Sequence, residues 1–179
     1  SNAQECTDRT HPSGSVTRYF AEGATTSVFD TSIALANPYT IPASVHLRFL
    51  KRDGTLASHA LRMLPTSRAT VDPEALAGMD PAEFATTIES DLAIAVDRTM
   101  RWAGGSHSER SLPSPGLTWY LAEGATHGGF DLFYLLQNPN ATKATVRVRF
   151  LLPGGAPLEK VYTVPAESRA NIWVDYEQF

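Results

Sequence analysis

The chain has 179 residues, of which 42 % are hydrophobic and 19 % charged, a balance typical of a globular protein with one large or two small domains. Its net charge is −4, with acidic and basic residues interspersed, so we expect no nucleic-acid partner. The longest apolar runs are far too short to cross a bilayer, and we expect no membrane span.

The N-terminal residues carry little information about the fold. Residues 1–3, Ser-Asn-Ala, have the form of a scar left by tag cleavage, and residues 1–11 are interpreted as tag and flexible N-terminus. Cys6 is the single cysteine, so it cannot form an internal disulfide, and no Cys/His spacing predicts a zinc site. The fold must therefore be held by its apolar core.

A tandem duplication organises the rest of the sequence. YFAEGAT begins at Tyr19 and YLAEGAT at Tyr120, and a shift of 101 positions gives 23 identities in the 60 pairs between residues 12 and 71. A period of about one hundred residues fits an independent small domain better than a solenoid unit. We predict a first repeat over residues 12–102, a Gly/Ser/Pro-rich linker over 103–116 and a second repeat over 117–179.

Alternating patterns predict strands in both repeats. ASVHLRFL (43–50) and ATVRVRFL (144–151) place apolar residues at every second position, and FDTSIALANP and FDLFYLLQNP end in an Asn-Pro turn signal. In the first repeat, DPEALAG and DPAEF (72–84) predict one or two short helical turns, and residues 85–102 predict two more strands. About seven short strands in roughly 90 residues predict an all-β fold of two tandem immunoglobulin-like antiparallel β-sandwiches.

The second repeat is incomplete, because nothing in it matches residues 80–102. A unit of 63 residues has a marginal core and leaves open sheet edges. Three explanations stay open: the native chain continues beyond residue 179, the missing strands come from the first repeat or another molecule, or the repeat boundary is permuted. We favour continuation, and we also consider an edge-strand dimer.

These motifs together resemble a repeat of large secreted or cell-surface bacterial proteins. The aromatic-AEGAT, GFD, LLQNPN and VPAESR phrases of the second repeat match that repeat, and TTIESDLAIAVDRTMRW (86–102) matches its final segment. The family has no assigned catalytic activity. The resemblance implies an extracellular or cell-surface bacterial β-sandwich module, and it transfers no functional residues to this chain.

Three pairs of charged residues at equivalent positions of the two repeats are interpreted as structural. They are Glu22, Asp30, Arg68, Glu123, Asp131 and Arg169. Each acidic residue is expected to accept backbone N–H bonds near the AEG turn, with a metal ion as the alternative. Each arginine is expected to satisfy backbone carbonyls or a carboxylate within its own domain, with Asp30 and Asp131 as the expected partners and an anion site as the alternative.

Trp119 and Trp173 are the candidate ligand-stacking residues. In ANIWVDY, Ile172, Val174 and Tyr176 face one way and Trp173 the other, so Trp173 should be exposed or at an interface. We favour inter-domain packing for these tryptophans, with a sugar-stacking platform as the alternative.

The sequence contains no nucleophile elbow, no phosphate-binding loop and no shared histidine ligand spacing. We therefore expect no enzyme, no cofactor and no metal. The chain is interpreted as a non-catalytic extracellular spacer, adhesion or protein-interaction module of a secreted or surface protein. The alternative is a carbohydrate- or cell-wall-binding module that uses exposed aromatic residues. The expected partners are other domains of the same large protein, an extracellular protein or a glycan.

Overall fold

The computed structural model describes residues 15–178, and the predictions for residues 1–11 and for Cys6 lie outside that range. The prediction of an all-β fold with antiparallel sheets is confirmed. No helix in the described range has the length and apolar character that a membrane crossing needs. The strands are β1 (Val16–Phe20), β2 (Ala24–Thr25), β3 (Asp30–Asn37), β4 (Ala43–Lys51), β5 (Leu56–Met63), β6 (Ser67–Val71), β7 (Ala82–Ser90), β8 (Ala95–Trp102), β9 (Gly105–Arg110), β10 (Phe133–Asn138), β11 (Ala144–Phe150), β12 (Leu158–Val164) and β13 (Ser168–Trp173).

The first repeat forms two antiparallel sheets. Sheet 1 has the order β1-β7-β4-β5, and β2 continues the β1 edge by pairing with the start of β7. Sheet 2 has the order β6-β3-β8-β9. The chain crosses between the two sheets after β2, β3, β5, β6 and β7, so sequential strands alternate sides repeatedly.

The two sheets share one apolar cluster. Alternate residues of β4 and β7 supply its sheet 1 side, and alternate residues of β3 supply its sheet 2 side, as period-two patterning requires. Phe49 and Phe84 meet edge to face at a centroid distance of 5.3 Å near the middle of the cluster. The faces of the sheets that point into this cluster are called inner faces below, and the opposite faces are called outer faces.

The segment between β6 and β7 contains one helical turn, which agrees with the prediction of one or two. Pro73–Ala75 forms a 3₁₀ turn, and the Asp72 carboxylate caps it by accepting from the Glu74 amide at 3.1 Å. DPAEF does not form a second turn, because Ala82–Phe84 are the first residues of β7. Ladder hydrogen bonds to β2 and β4 hold these residues extended despite the Asp-Pro signal.

The predicted linker over residues 103–116 is wrong over Gly105–Arg110, which forms strand β9. The edge of β8 that faces away from β3 offers a row of backbone donors and acceptors. Residues 97–102 of β8 use these groups to pair with β9. Leu112 then exchanges two backbone hydrogen bonds with Tyr19, both 3.0 Å. The segment between the repeats is thus largely part of the first repeat.

The described part of the second repeat contains two separate strand pairs, β10-β13 and β11-β12. These pairs reproduce the registers of β3-β6 and β4-β5 at an offset of 101: Asn37 faces Ser67, and Asn138 faces Ser168. Residues 117–132, which include the repeated YLAEGAT phrase, contain no strand. Among the described residues, the offset of 101 is therefore reproduced in the registers of these four strands and not elsewhere.

A buried asparagine explains the repeated Asn-Pro signal. The side-chain amide of Asn37 donates to the carbonyls of Ile41 and Leu64, both at 2.9 Å, and Asn138 makes the equivalent bonds at 2.8 Å. Each asparagine thus ties together two loops at one end of its repeat.

Gly23 lies between β1 and β2, and Gly124 is the equivalent glycine of the second AEG phrase. Their surroundings predict that an alanine substitution destabilises the protein more at Gly23 than at Gly124. A Cβ at Gly23 would overlap the ring of Phe84, which is fixed against Phe49, whereas a Cβ at Gly124 would meet the movable side chain of Leu132 at 2.8 Å. Gly23→Ala should therefore lower the free energy of unfolding by about 2 kcal/mol and Gly124→Ala by less than about 1 kcal/mol. Urea unfolding followed by tryptophan fluorescence measures both changes, and equal losses would contradict the prediction.

Candidate functional site

A buried arginine organises a dense polar cluster in the first repeat. The Arg98 side chain is 1 % exposed, and its guanidinium donates to Glu22 Oε2 and to Glu109 Oε2, each at 2.8 Å. His107 Nε2 lies 3.0 Å from an Arg98 terminal nitrogen and 2.8 Å from Glu22 Oε2. These four residues are called the Arg98 cluster.

Three chain segments bring the Arg98 cluster together. Arg98 projects from the inner face of β8, His107 and Glu109 come from the neighbouring strand β9, and Glu22 comes from the turn between β1 and β2. A buried guanidinium needs anionic partners, because an unpaired buried charge is costly. Both carboxylates and the imidazole Nε2 are engaged with the arginine or with each other, so the cluster works as a structural brace.

The Arg98 cluster corrects the expectation for Glu22 and leaves Glu123 without the same role. Glu22 accepts from the Arg98 guanidinium rather than from the backbone of its own turn. Glu123 occupies the equivalent position in the second repeat and is exposed. The described part of that repeat has no strand equivalent to β8 and hence no arginine in the place of Arg98.

The predicted pairing of Asp30 with Arg68 is wrong. Asp30 lies 4.0 Å from Arg101 on the neighbouring strand β8, and both side chains are exposed. Arg68 is exposed on the outer face of β6 and donates to the Thr70 hydroxyl at 3.4 Å. Asp131 is exposed, like its counterpart Asp30.

Asp30 also belongs to a group of three exposed acids with Asp72 and Glu74, whose carboxylate oxygens lie within 4.8 Å of one another. Asp72 is committed to capping the 3₁₀ turn, and Arg101 places a positive charge beside Asp30. Three exposed carboxylates supply fewer oxygens than the six or more that calcium takes. The group by itself does not define a metal site.

Arg169 contacts the first repeat, which corrects the expectation that it stays within its own domain. Its guanidinium donates to the carbonyls of Gly23 at 2.5 Å and Phe84 at 3.0 Å. Burial lowers the pKa of Arg169, and the carboxylates of Glu83 and Glu22 oppose that shift. The partners are backbone carbonyls, as predicted, but they belong to the other repeat.

Polar side chains on the outer face of the β10-β13 sheet join the second repeat to sheet 1. Besides Arg169, Gln137 donates to the Thr87 hydroxyl at 3.0 Å, and Asn171 donates to Glu83 at 3.0 Å. An ion pair between Arg48 and Glu167 adds a contact beside them. The two repeats therefore pack outer face against outer face through a polar interface.

The inner face of the second repeat is only half-covered. Leu132, Tyr134, Leu136, Val146 and Val148 are partly exposed, whereas their counterparts in the first repeat, Thr31, Ile33, Leu35, Val45 and Leu47, are all buried. In the first repeat, β7 and β8 cover these positions. The described part of the second repeat contains no equivalent of either strand.

Residues 117–121 of the second repeat are exposed for the same reason. Phe20 is 1 % exposed within β1, whereas its counterpart Leu121 is 66 % exposed and the preceding Tyr120 is 92 % exposed. β1 is a strand because β7 pairs with it along Val16–Phe20. The same phrase without such a partner remains irregular and presents its apolar side chains to water.

An aromatic cluster surrounds Trp173 at the rim of the inter-repeat interface. Phe133 faces Trp173 across β10 and β13 with ring centroids 5.0 Å apart, and Tyr176 packs edge-on at 4.2 Å. All three side chains are exposed, Trp173 by 40 %. The strand ends at Trp173, so the expectation that Tyr176 lies on the buried side with Ile172 is wrong.

Trp119 lies apart from that cluster in the irregular segment. Its indole N–H donates to the Gly116 carbonyl at 3.2 Å, and its ring covers Gly116. The side chain remains more than half exposed. The structure therefore does not bring Trp119 and Trp173 into a common site.

Sequence reasoning missed Arg98, Glu109 and His107, although one signal was available. Val96, Arg98 and Met100 alternate in β8, so Arg98 falls on the face that its apolar neighbours assign to the core. An arginine on a buried face requires acidic partners. Those partners come from β9 and from the β1–β2 turn, and no local pattern connects these segments.

Comparisons with known proteins assign no family, and one solved structure supports the fold alone. No protein-family model matches the chain, and no curated protein matches it. The solved structure of the Thermotoga maritima 1070 protein is similar with a TM-score of 0.51 at 13 % identity, and the match covers 58 % of this chain and 98 % of that one. The Anabaena sensory rhodopsin transducer is similar with a TM-score of 0.43 at 19 % identity over 50 % of this chain and 91 % of its own. The resemblance to bacterial surface repeats stays a prediction.

Removal of Arg98 should destabilise the first repeat strongly. Arg98→Ala leaves Glu22 and Glu109 facing each other without the intervening cation and opens a gap in the core, so the free energy of unfolding should fall by about 3 kcal/mol. Arg101→Ala, on the same strand but exposed, is the matched control and should change it by less than about 0.5 kcal/mol. Thermal and urea unfolding measure both, and similar values for the two variants would contradict the brace role of Arg98.

A half-buried tyrosine with an inaccessible hydroxyl predicts a stability loss at alkaline pH in the second repeat. Burial, and then the Glu177 carboxylate, raise the pKa of Tyr162 to about 12. The folded protein therefore keeps a proton that the unfolded chain releases, so stability should be complete below about pH 10 and fall between about pH 10 and 12. Tyr162→Phe should flatten this part of the decline, whereas Tyr120→Phe at an exposed position should leave it unchanged. Urea midpoints measured across this pH range test the difference.

Proposed function

We propose that this chain is a non-catalytic interaction module of a secreted or surface-exposed bacterial protein, and that it binds a protein partner through its second repeat. The observation that carries the proposal is the exposed apolar surface at Tyr120 and Leu121, whose counterparts in the first repeat lie in a paired strand. Contiguous exposed apolar surface of this kind is typical of a protein interaction site. Exposed aromatic anchors also carry a large share of binding energy at interfaces.

The proposed architecture is two tandem immunoglobulin-like sandwiches, complete in the first repeat and partial in the second. Two antiparallel sheets around one apolar cluster support this assignment for the first repeat. Its sheets contain five and four strands, more than the four and three of an immunoglobulin constant domain. Two strand pairs with the same registers support it for the second repeat.

A non-catalytic role agrees with how the polar groups are used. The titratable groups of the Arg98 cluster are mutually paired, and Arg169 is committed to backbone carbonyls at the inter-repeat contact. A shallow depression of about 520 Å³ beside His46, Arg62 and Glu89 is open to solvent. Catalytic sites usually combine an enclosed pocket with groups of shifted pKa.

The second candidate function is carbohydrate or cell-wall binding by Phe133, Trp173 and Tyr176. These rings form a continuous exposed aromatic surface, and Asn171, whose side-chain amide donates to Glu83 at 3.0 Å, lies two residues from Trp173 on the same outer face. Aromatic rings with a nearby polar group suit a sugar ring, which has an apolar face and polar edges. Tyr176 packs edge-on against Trp173 and stays 73 % exposed, which favours this use of the cluster.

Retention on isolated bacterial cell envelopes distinguishes the two functions. Protein binding should disappear when the envelopes are treated with protease, and the double change Tyr120→Ser and Leu121→Ser should abolish it, because both side chains are exposed and contribute to contact rather than to folding. The matched control changes the exposed Val28 and Leu64 to Ser and should bind normally.

Carbohydrate binding predicts the opposite pattern in the same assay. Retention should then survive protease treatment, and Trp173→Ala should lose it while Trp119→Ala keeps it, because Trp119 lies outside the aromatic cluster. Absence of retention on both treated and untreated envelopes would contradict both functions.

A further inference from the structure

We propose that the second repeat binds a strand–turn–strand segment that residues 15–178 do not supply, and that Glu123 selects this segment by pairing with an arginine in it. The segment has the chemistry of residues 82–102 of the first repeat, which comprise β7, the following turn and β8 and are called the closing segment. This inference rests on the proposed function, since it specifies the partner of the exposed surface of the second repeat.

The first repeat shows how a closing segment covers such a surface. Its first strand lies between β1 and β4 in sheet 1, and its second strand pairs with β3 in sheet 2. Phe84, Ile88 and Val96 point inward from these strands and are nearly inaccessible. One segment therefore completes both sheets and fills the space between them.

The second repeat offers the same acceptor groups at an offset of 101. Strand β10 corresponds to β3, residues 144–149 of β11 correspond to the paired part of β4, and residues 117–121 correspond to β1. Among the described strands, β10 and residues 144–149 of β11 are paired on one side. The half-covered inner residues lie between them, where the inner side chains of a closing segment would pack.

Two features favour a closing segment over a simple edge-to-edge dimer. An added strand at one edge would extend either the β10 sheet or the β11 sheet, and it would leave the inner face between them uncovered. The closing segment supplies a strand to each sheet together with inward apolar side chains. Binding by strand addition of this kind combines main-chain hydrogen bonds with side-chain pockets, which give affinity and specificity respectively.

The closing segment of this chain is not itself available as the donor. Strand β7 is paired on both sides, and Phe84, Phe49 and Ile88 lie in the centre of the first core. Transfer of β7 to the second repeat would open that core completely. The partner segment must therefore come from outside residues 15–178.

Charge complementarity specifies one residue of the partner. Arg98 in the second strand of the closing segment reaches Glu22 at 2.8 Å, and Glu123 is the equivalent of Glu22. Glu123 is exposed as the structure stands. A partner with arginine at that position would pair with Glu123, whereas one with an apolar or acidic residue there would leave the carboxylate unpaired on binding.

A synthetic peptide of residues 82–102 added to the full chain tests this proposal. We expect saturable one-to-one binding by calorimetry and slower hydrogen exchange in residues 117–126 and in β10. Glu123→Gln in the protein, or Arg98→Gln in the peptide, should each weaken binding about tenfold, and the two changes together should weaken it little further. Glu159→Gln, which alters an exposed acid of β12 paired with Arg149, is the matched control and should bind normally.

A fused chain provides the second measurement if the free peptide aggregates. The closing segment is attached after residue 178 through a flexible Gly/Ser linker, and hydrogen exchange is compared with that of an otherwise identical fusion carrying Arg98→Gln in the added segment. Protection of residues 117–126 in the first fusion and its loss in the second supports the proposal. Equal exchange in both fusions overturns it.

Three results would overturn the inference. They are absence of saturable binding together with absence of protection in the fusion, binding that Glu123→Gln and Glu159→Gln affect equally, and a stable dimer of the chain alone that the peptide does not dissociate. Protease-sensitive envelope retention that persists in any of these cases keeps the interaction function and rejects only the closing segment as its partner. Loss of both signals rejects both proposals.

Discussion

Hydrogen bonding of β7 to strands on both sides is the constraint on which the first repeat depends. This strand joins β1 and β2 to β4, and its inward side chains Phe84 and Ile88 occupy the middle of the core. A backbone segment becomes a strand only when its N–H and C=O groups find partners. The phrase around Tyr19 is therefore ordered beside β7, whereas the phrase around Tyr120 stays irregular.

The Arg98 cluster adds a polar brace to this apolar core. Burial of a guanidinium is costly unless its partners are well placed, and here the partners come from the β1–β2 turn and from β9. The glutamate of the AEG phrase acts as an anchor for β8. Glu123 has the same place in the second repeat as Glu22 in the first. The two described repeats therefore share this glutamate and differ in that only the first contains the strands β7 and β8.

The interface between the repeats shows how equivalent residues acquire different roles. Arg68 lies exposed on the outer face of β6, and Arg169 lies at the same position of β13 but is buried against the carbonyls of Gly23 and Phe84. Both arginines point to the outer face of their strand, as alternation requires. Only the packing of one repeat on the other decides that one guanidinium is enclosed and the other solvated. The aromatic cluster around Trp173 remains at the rim, because the contact ends before it.

The sequence by itself determined the alternating strand patterns and the two Asn-Pro turns, because each depends on residues close together along the chain. The strand registers of β3-β6 and β4-β5 recur in β10-β13 and β11-β12 at the 101-residue offset found in the sequence. Arg98 could have been recognised as an inward-facing arginine, because it alternates with Val96 and Met100 in β8. The conversion of the predicted linker into β9, the partners of Glu22 and the docking of Arg169 could not be predicted in this way. Each depends on a free strand edge or a carbonyl supplied by a segment distant in sequence, and only the tertiary structure brings those groups within hydrogen-bonding distance.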